Sequence, residues 1–290
     1  MKPAVFELEV ASSVAHALRL LGDSDHEVKV LAGGQSLVPL MNFRLARPDV
    51  LVDLNRLAEL QYIRESDDGL AIGAMTRQSA LERSPLVARL APLVAEALPL
   101  VAHAPIRNRG TLGGSLAHAD PAAELCTVAL ALDAQLVAQS ARGERVIAAQ
   151  DFFVGPFTTA LRSDELLTEV RLPRLPQRAG WAFDEVARRR GDFAMVGVAA
   201  VLGLDAEGRI DLARLAYTSM GPRPLRAPHG EMALVGEWPT ADAFARAAAA
   251  AMADLEPGDD QHATRGYRLH VARGLTARAL TRALEQRERF

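Results

Sequence analysis

The sequence predicts an α+β fold in which helices and strands are partly segregated along the chain. Its first half mixes short apolar stretches with amphipathic helical segments, and three long apolar or alternating stretches follow, as in antiparallel sheets. The C-terminal end is rich in alanine and helix-forming residues. With 290 residues the chain can form two modest domains, or three small ones, each with its own core.

Composition narrows the class of protein. A formal net charge of −3 gives no sign of a nucleic-acid partner. Cys126 is the single cysteine, so the chain can neither close an internal disulfide nor ligate an iron–sulfur cluster; its apolar helical context favours a core residue. We see no signal peptide and no integral membrane segment, and we expect a cytoplasmic protein.

The elements of the first half follow from hydrophobic periodicity. A helix is expected over residues 12–21, capped by Ser12 or Ser13, and a strand over residues 27–32 leads into a glycine pair. Residues 106–119 are rich in glycine and polar side chains, and we expect a structured loop there. Further strands are predicted at residues 50–54, 70–74, 134–139, 145–148 and 165–172. Helices are predicted at residues 86–98, interrupted by Pro92, and 124–132.

A domain boundary is predicted where Pro173 and Pro176 favour an extended crossing. The domains would then span residues 1–175 and 176–290. In the second domain, strands are expected at residues 181–187, 195–204 and 212–220, with a hairpin connection near residues 203–208. Helices are expected at residues 241–255 and 267–287.

The first glycine segment consists of Ala32, Gly33, Gly34, Gln35 and Ser36. Paired glycines permit positive φ and let a ligand approach the backbone, where successive N–H groups can form an anion nest. A plain tight turn is the alternative. Lys29, just before this segment, is a candidate cation for the ligand, and the alternative is a solvated lysine on the strand.

The second glycine segment consists of Thr111, Leu112, Gly113, Gly114 and Ser115. It repeats the pattern of a glycine pair followed by serine, so we interpret both segments as turns that hold the pyrophosphate of a dinucleotide. His118 and Asp120 follow at alternating spacing and could face one side of an extended segment. Neither segment matches G-x-G-x-x-G or a Walker A pattern, so backbone amides would carry most of the binding. Bulky residues at Gly33 or Gly114 are expected to abolish cofactor retention with little loss of fold.

These segments resemble those of a known family, the FAD-binding medium subunits of molybdenum hydroxylases of the aerobic carbon-monoxide dehydrogenase and xanthine dehydrogenase type. The resemblance spans nearly the whole chain. Besides the two segments, it rests on Ala119-Asp120-Pro121 before Glu124, Arg189-Arg190-Gly191-Asp192-Phe193-Ala194, Gly221-Pro222-Arg223-Pro224 and Tyr267-Arg268.

The resemblance implies a two-subdomain FAD-binding domain of the vanillyl-alcohol-oxidase-like type, followed by a smaller C-terminal domain of antiparallel sheet and helices. It places Lys29 near the adenosine end of FAD and Leu167 on the adenine side. His118, Asp120 and Glu124 would bond ribityl or ribose hydroxyls, and Asp192 and Phe193 would approach the isoalloxazine ring. The resemblance also implies FAD contacts for Ala32, Gly33, Gly34, Gln35, Ser36, Leu37, Thr111, Leu112, Gly113, Gly114 and Ser115.

Structural alternatives remain for several of these residues. Asp120 could cap a helix with Pro121 at its first position, and Glu124 could simply complement that helix terminus. Phe193 could be a core residue. Arg189 and Arg190 could form a solvated face or contact a partner subunit.

The implied activity is electron transfer. A large subunit would oxidise the substrate at a molybdenum cofactor, and a small subunit would pass electrons through [2Fe-2S] clusters to FAD on this chain and then to an external acceptor. The chain would carry no catalytic base, nucleophile or metal ligand of its own. A dimer of heterotrimers is the family assembly. A stand-alone FAD-dependent oxidoreductase with its own small-molecule substrate, and a non-enzymatic scaffold, are the alternatives.

Overall fold

The N-terminal part of the chain folds around a small parallel sheet. The computed structural model describes residues 2–22 and 25–287. Strand order in this sheet is β1 (Glu7–Val10), β3 (Val50–Asp53) and β2 (Val28–Leu31). Helix α1 (Val14–Leu21) begins after Ser13, whose hydroxyl accepts a hydrogen bond from the His16 N–H as an N-cap. Helix α2 (Leu37–Asn42) follows the first glycine segment.

The second sheet is antiparallel and forms the centre of the larger core. Leu70, Ile72 and Val170 from its middle strands are fully buried. Its strand order is β4 (Ile63–Ser66), β5 (Gly69–Gly73), β10 (Leu166–Pro173), β6 (Gln135–Ser140) and β7 (Gly143–Ala148).

Short helices surround this sheet, and every residue of α8 is buried. Pro92 separates two helices within residues 86–98, where an interruption was expected. The helices are α3 (Gln78–Glu82), α4 (Pro85–Leu90), α5 (Pro92–Ala97), α6 (Ala104–Arg107), α7 (Leu112–His118), α8 (Glu124–Ala131) and α9 (Ala149–Phe152). A hairpin of β8 (Phe153–Gly155) and β9 (Thr158–Thr159) follows α9.

The C-terminal part is an antiparallel sheet with a helical layer. The strand order is β11 (Gly180–Ala187), β12 (Ala194–Leu204), β13 (Ile210–Thr218) and β14 (Leu225–Arg226). The helices are α10 (Pro228–Met232), α11 (Ala241–Ala251) and α12 (Arg265–Arg287). One face of the sheet packs on α10 and α12, with α11 in the same hydrophobic core, and the other face packs on α8. The predicted α+β class is confirmed.

Hydrogen bonds and an ion pair join the C-terminal sheet to the preceding part. The Ser219 N–H and the Thr218 hydroxyl both donate to the Pro121 carbonyl, at 2.8 and 2.9 Å. Glu96 on α5 pairs with Arg282 on α12. The predicted boundary at residues 172–177 lies around the end of β10, ahead of β11, and it stays a prediction.

The expected loop at residues 106–119 is wrong, because α6 ends and α7 lies within it. Glycines at positions 113 and 114 disfavour a helix by propensity alone, but hydrogen bonds from outside the segment stabilise its first turn. Strand β1 was not predicted. Within residues 2–22 and 25–287, no helix combines the length and apolar character needed to cross a membrane.

Candidate functional site

The first glycine segment is an irregular connection between β2 and α2. Gly34 has a φ of 72°, which explains a glycine there. The Gln35 side-chain amide donates to the Gly33 carbonyl at 3.0 Å, and Ser36 makes no side-chain cap bond to α2. In the part of the chain that the structure describes, the N–H groups of Gly33, Gly34, Gln35 and Ser36 donate to no protein atom. Four neighbouring donors therefore remain available to a ligand.

The second glycine segment is the start of α7, so its prediction as a turn is wrong. Thr111 is the N-cap, and its hydroxyl accepts from the Gly114 N–H at 3.0 Å. The Leu112 N–H donates to the Thr76 carbonyl at 3.0 Å, and the Gly113 N–H donates to the Ala74 carbonyl at 2.8 Å. These amides are committed to the protein. Among the described residues, the Thr111 N–H and the hydroxyl protons of Thr111 and Ser115 donate to no protein atom, so this segment can still offer these donors.

The two glycine segments contact each other. A Cβ atom on Gly33 would lie 2.3 Å from the Arg109 carbonyl oxygen and 2.8 Å from the Gly110 Cα. A Cβ on Gly114 would lie 3.3 Å from the Ala32 Cβ. Gly33 is therefore required for the close approach of the first segment to the residues that directly precede the second, whatever else it does.

Asn55 and Arg77, which the sequence analysis missed, stabilise this contact by hydrogen bonds. The Arg77 guanidinium donates to the Arg109 carbonyl and, at 2.6 Å, to Asn55 Oδ1. Asn55 Nδ2 donates to the Ala32 carbonyl at 3.0 Å. Burial, and then the neighbouring Arg109 cation, lower the pKa of Arg77. No motif could have pointed to this pair, because only the fold brings positions 55 and 77 together; Arg77 also adds positive charge beside the segments.

Helix α7 leads from the glycine segments to a cavity. Its seven residues span about 10 Å, and it ends at His118, followed by Ala119 in the left-handed conformation with a φ of 52°. We expected His118 and Asp120 to lie on an extended segment, and this expectation is wrong. Asp120 Oδ1 accepts from the Ala122 N–H at 2.8 Å, and Ala123 is the N-cap of α8, so the capping alternative for Asp120 is also wrong.

The cavity has a volume of about 740 Å³ and lies where the C-terminal sheet meets the preceding part. Asp120, Asp192 and Phe193 line it, together with Phe157, which the sequence analysis missed. Phe193 is 72% exposed, which excludes its alternative as a core residue. Other lining side chains include Arg188, Ser219, His262 and Arg268.

The loop that carries Asp192 and Phe193 reaches across to the first part of the chain. Gly191 has a φ of 88°, and a Cβ there would lie 2.4 Å from the His103 ring. Glycine is required at this position both by conformation and by the close approach. The contact holds the loop beside the cavity.

Two carboxyl groups, those of Glu124 and Glu185, have raised pKa values because burial disfavours their charged form. Glu124, the first residue of α8, is only 6% exposed, and this burial raises its pKa to about 7. Glu185 on β11 has a pKa raised to about 8, first by burial and then by the charge of Glu124. The Oε2 atom of Glu185 is buried and has no hydrogen-bond partner. Both groups therefore hold protons close to neutral pH.

The remaining predicted residues lie outside the two glycine segments and are not among those that line the cavity. Lys29 is half-exposed on β2, 4.0 Å from Glu27. Leu167 is buried on β10 as part of the larger core. Leu37 begins α2. In residues 2–22 and 25–287, no group of three metal-ligating side chains is placed to hold a metal ion.

This arrangement fits an elongated ligand with an anionic centre and a planar end. Free amide donors and hydroxyl groups at one end of α7 suit a pyrophosphate. Exposed phenylalanine rings in a cavity at its other end suit an aromatic ring. FAD has both parts, so the residues present are compatible with it.

Comparison with known proteins identifies the family of the chain. The family model described as the FAD binding domain in molybdopterin dehydrogenase matches residues 4–175, and that of the CO dehydrogenase flavoprotein C-terminal domain matches residues 181–283. The chain is 46% identical to the 6-hydroxypseudooxynicotine dehydrogenase complex subunit alpha of Paenarthrobacter nicotinovorans, over 99% of this chain and 97% of the relative. It is 38% identical to the carbon monoxide dehydrogenase medium chain of Hydrogenophaga pseudoflava, over 98% of each chain.

Solved structures agree as well. A chain of the carbon monoxide dehydrogenase from Hydrogenophaga pseudoflava superposes with a TM-score of 0.95 at 39% identity, covering 99% of both chains. A chain of quinoline 2-oxidoreductase from Pseudomonas putida 86 superposes with a TM-score of 0.93 at 38% identity, covering 98% of this chain and 99% of the other. The predicted family and the predicted cofactor are both confirmed: the chain belongs to the FAD-binding subunits of molybdenum-containing dehydrogenases, a family of oxidoreductases.

Proposed function

We propose that this chain is the electron-exit subunit of a molybdenum hydroxylase. It accepts electrons from a [2Fe-2S] small subunit, and a large subunit with the molybdenum cofactor oxidises the substrate. The assembly is a dimer of heterotrimers in the cytoplasm. The single cysteine of this chain, Cys126, is buried. Because one cysteine cannot ligate an iron–sulfur cluster, the clusters must belong to another chain.

One observation carries this proposal. Helix α7 connects the unbonded backbone N–H groups of the first glycine segment to the cavity that Phe157 and Phe193 line. The pyrophosphate of FAD binds between residues 32–36 and residues 111–115. The N–H groups come mainly from the first segment, and the second contributes the Thr111 and Ser115 hydroxyls. Lys29 and Leu37 adjoin the first segment, and Arg77 supports both.

The cavity end holds the flavin. Asp192 and Phe193 contact the ring, while His118, Asp120 and Glu124 bond hydroxyls of the sugar chain. Leu167, which is buried in the core, packs on the adenine side of the cofactor. When bound, the isoalloxazine ring supplies the redox chemistry, and the side chains of this subunit orient it and limit the access of water.

The visible spectrum of the purified full chain tests the cofactor assignment. We expect a flavin spectrum, and FAD released on denaturation. Colourless protein that does not reconstitute with FAD contradicts the proposal.

Co-purification tests the assembly. We expect a tagged chain, expressed with its neighbouring genes, to carry a molybdenum subunit and a cluster subunit. Turnover of a small substrate by the isolated flavoprotein would instead support the stand-alone oxidoreductase.

A further inference from the structure

Phe157 is a cavity residue that the family resemblance did not single out. It lies at the turn between β8 and β9, and 59% of it is exposed. Its ring lines the same cavity as Asp120 and Phe193. Phe193 at the same cavity is also exposed, and apolar surface that clusters in this way marks a binding site.

The backbone of Phe157 is strained. Its φ is 52°, and it follows Pro156 in the turn between Gly155 and Thr158. A left-handed residue after proline in such a turn is usually glycine or asparagine, because a Cβ atom disfavours this conformation. Strain of this kind persists where the surrounding structure holds it, and it is concentrated at functional sites.

Two contacts hold Phe157 at the cavity. Its N–H donates to the Ala119 carbonyl at 3.1 Å. Its ring lies against the His118 ring, with centroids 5.1 Å apart and planes inclined by 44°. Burial lowers the pKa of His118, so this imidazole is neutral near pH 7. Together the two rings form a largely apolar wall at the end of α7.

We propose that Phe157 is a further cofactor-contacting residue, whose ring, seated on His118, packs against the isoalloxazine ring of bound FAD. This inference rests on the proposed function. Its support is positional: Phe157 is bonded to Ala119, between His118 and Asp120, and α7 joins that point to the glycine segments. The flavin ring is the planar group that this helix would bring to the wall.

Three variants of the full chain separate the effect of the Phe157 ring from the effect of its backbone strain. Phe157→Tyr keeps the ring, Phe157→Leu keeps apolar bulk and strain, and Phe157→Gly removes both. FAD binding to the FAD-free protein is followed by flavin fluorescence. We expect Phe157→Leu and Phe157→Gly to bind FAD about threefold to tenfold more weakly, the range for one ring contact, and to alter the flavin absorption band. Phe157→Tyr should bind within about twofold of the wild type.

The melting temperature of the FAD-free protein reports the strain. Phe157→Gly should raise Tm by about 2–4 °C, because glycine adopts a positive φ without a Cβ clash. Arg178→Gly is the matched control, since Arg178 is exposed, has a φ of 66° and is not among the cavity-lining residues. It should raise Tm similarly and leave FAD affinity unchanged.

Unchanged FAD affinity and absorption in both Phe157→Leu and Phe157→Gly would overturn the inference. So would slower reoxidation of the reduced flavin by a quinone or NAD at unchanged FAD affinity, because this would assign the ring to the acceptor. If Phe157→Gly does not fold, the Leu and Tyr variants decide. Failure of the wild type to bind FAD contradicts the proposed function itself, and the two failures are therefore distinct.

Discussion

The two glycine segments have similar sequences and different physical roles. In the first, Gly33 and Gly34 leave a run of backbone N–H groups without protein partners among the described residues. In the second, Gly113 and Gly114 lie in the first turn of a helix whose amides bond to Ala74, Thr76 and Thr111. A glycine pair followed by serine can thus mark either a donor nest or a close-packed helix start.

Despite this difference, the two segments form one unit. Gly33 approaches the backbone of Arg109 too closely for a side chain, and Arg77 bonds to that same carbonyl. A change in either segment is therefore transmitted to the other. The variants below separate binding roles from packing roles.

Gly33→Val should have the largest effect. Its Cβ would lie 2.3 Å from a backbone oxygen that cannot easily move, so the segments must separate. We expect loss of measurable FAD binding and a fall of about 1–3 kcal/mol in the free energy of unfolding, as for overpacking. Because of this close approach, the expectation of little loss of fold no longer holds at Gly33.

Urea unfolding and FAD titration measure the two effects. Gly274→Ala on α12 is the control, because a Cβ there meets nothing within 4 Å. It should bind FAD normally and gain up to about 1 kcal/mol. Normal FAD binding by Gly33→Val would refute the coupling of the two segments.

The pH dependence of stability should be the next largest effect, and it concerns the chain after the second segment. The pKa of Glu124 is about 7 in the folded protein, against an ordinary value of 4.5 for a solvated glutamate, so the folded state binds more protons between these values. Stability is then complete below about pH 4.5 and falls as pH rises through 7, by up to about 1.4 kcal/mol per unit. Glu185, with a pKa of about 8, extends the fall more weakly because it is partly hydrated.

Urea midpoints between pH 5 and 9 check this prediction on FAD-free protein. Glu185→Gln should flatten the upper part of the curve. Glu207→Gln, an exposed glutamate, is the control and should reproduce the wild-type curve. A wild-type curve that rises over this range would show that the carboxyls are not protonated as inferred.

Ser36→Ala tests the first segment alone. The Ser36 hydroxyl makes no cap bond, so its removal should leave the Tm of FAD-free protein unchanged. A lost hydrogen bond to a charged ligand should weaken FAD binding about tenfold. Ser163→Ala, an exposed serine outside the site, should change neither quantity. If the FAD-free Ser36→Ala variant lost as much unfolding free energy as it lost binding free energy for FAD, Ser36 would have a packing role.

Thr111→Val tests the second segment and should have the smallest effect. It removes the cap bond to Gly114, at a cost of about 1 kcal/mol in unfolding free energy. Thr240→Val is the matched control, because Thr240 caps α11 with the same geometry, at 3.2 Å from the Ala243 N–H. Both variants should lose similar stability in thermal unfolding without FAD. Because its hydroxyl also serves the ligand in the proposed function, Thr111→Val should in addition bind FAD more weakly than the wild type, while Thr240→Val should not. Loss of stability with unchanged FAD affinity in Thr111→Val would show that this hydroxyl serves the helix and not the ligand.

The sequence predicted the class of fold and the order of the main elements, because a continuous apolar run marks an element that is buried on all sides, as in β12 and α8. It also predicted the family, through short segments that are distributed over nearly the whole chain. The cofactor residues it named stay predictions, although Asp120, Asp192 and Phe193 do line one cavity.

The other features of the site depend on contacts between residues that are far apart in the sequence, so the sequence alone could not predict them. Helix α7 could not be predicted, since the carbonyls that stabilise its first turn come from Ala74 and Thr76. Phe157 has no sequence signature, because its conformation depends on a bond to Ala119. Asn55 and Arg77 belong to the site only through the folded backbone.

The length of helix α7 sets both the distance and the rotation between the glycine segments and His118. One inserted residue would turn His118 by about 100° about the helix axis and advance it by about 1.5 Å. His118 would then leave the Phe157 ring, and Ala119 could no longer accept from the Phe157 N–H. Length variation among relatives is therefore expected at surface hairpins such as residues 205–208, while the spacing between Thr111 and His118 stays constant, and a comparison of their chain lengths can check this.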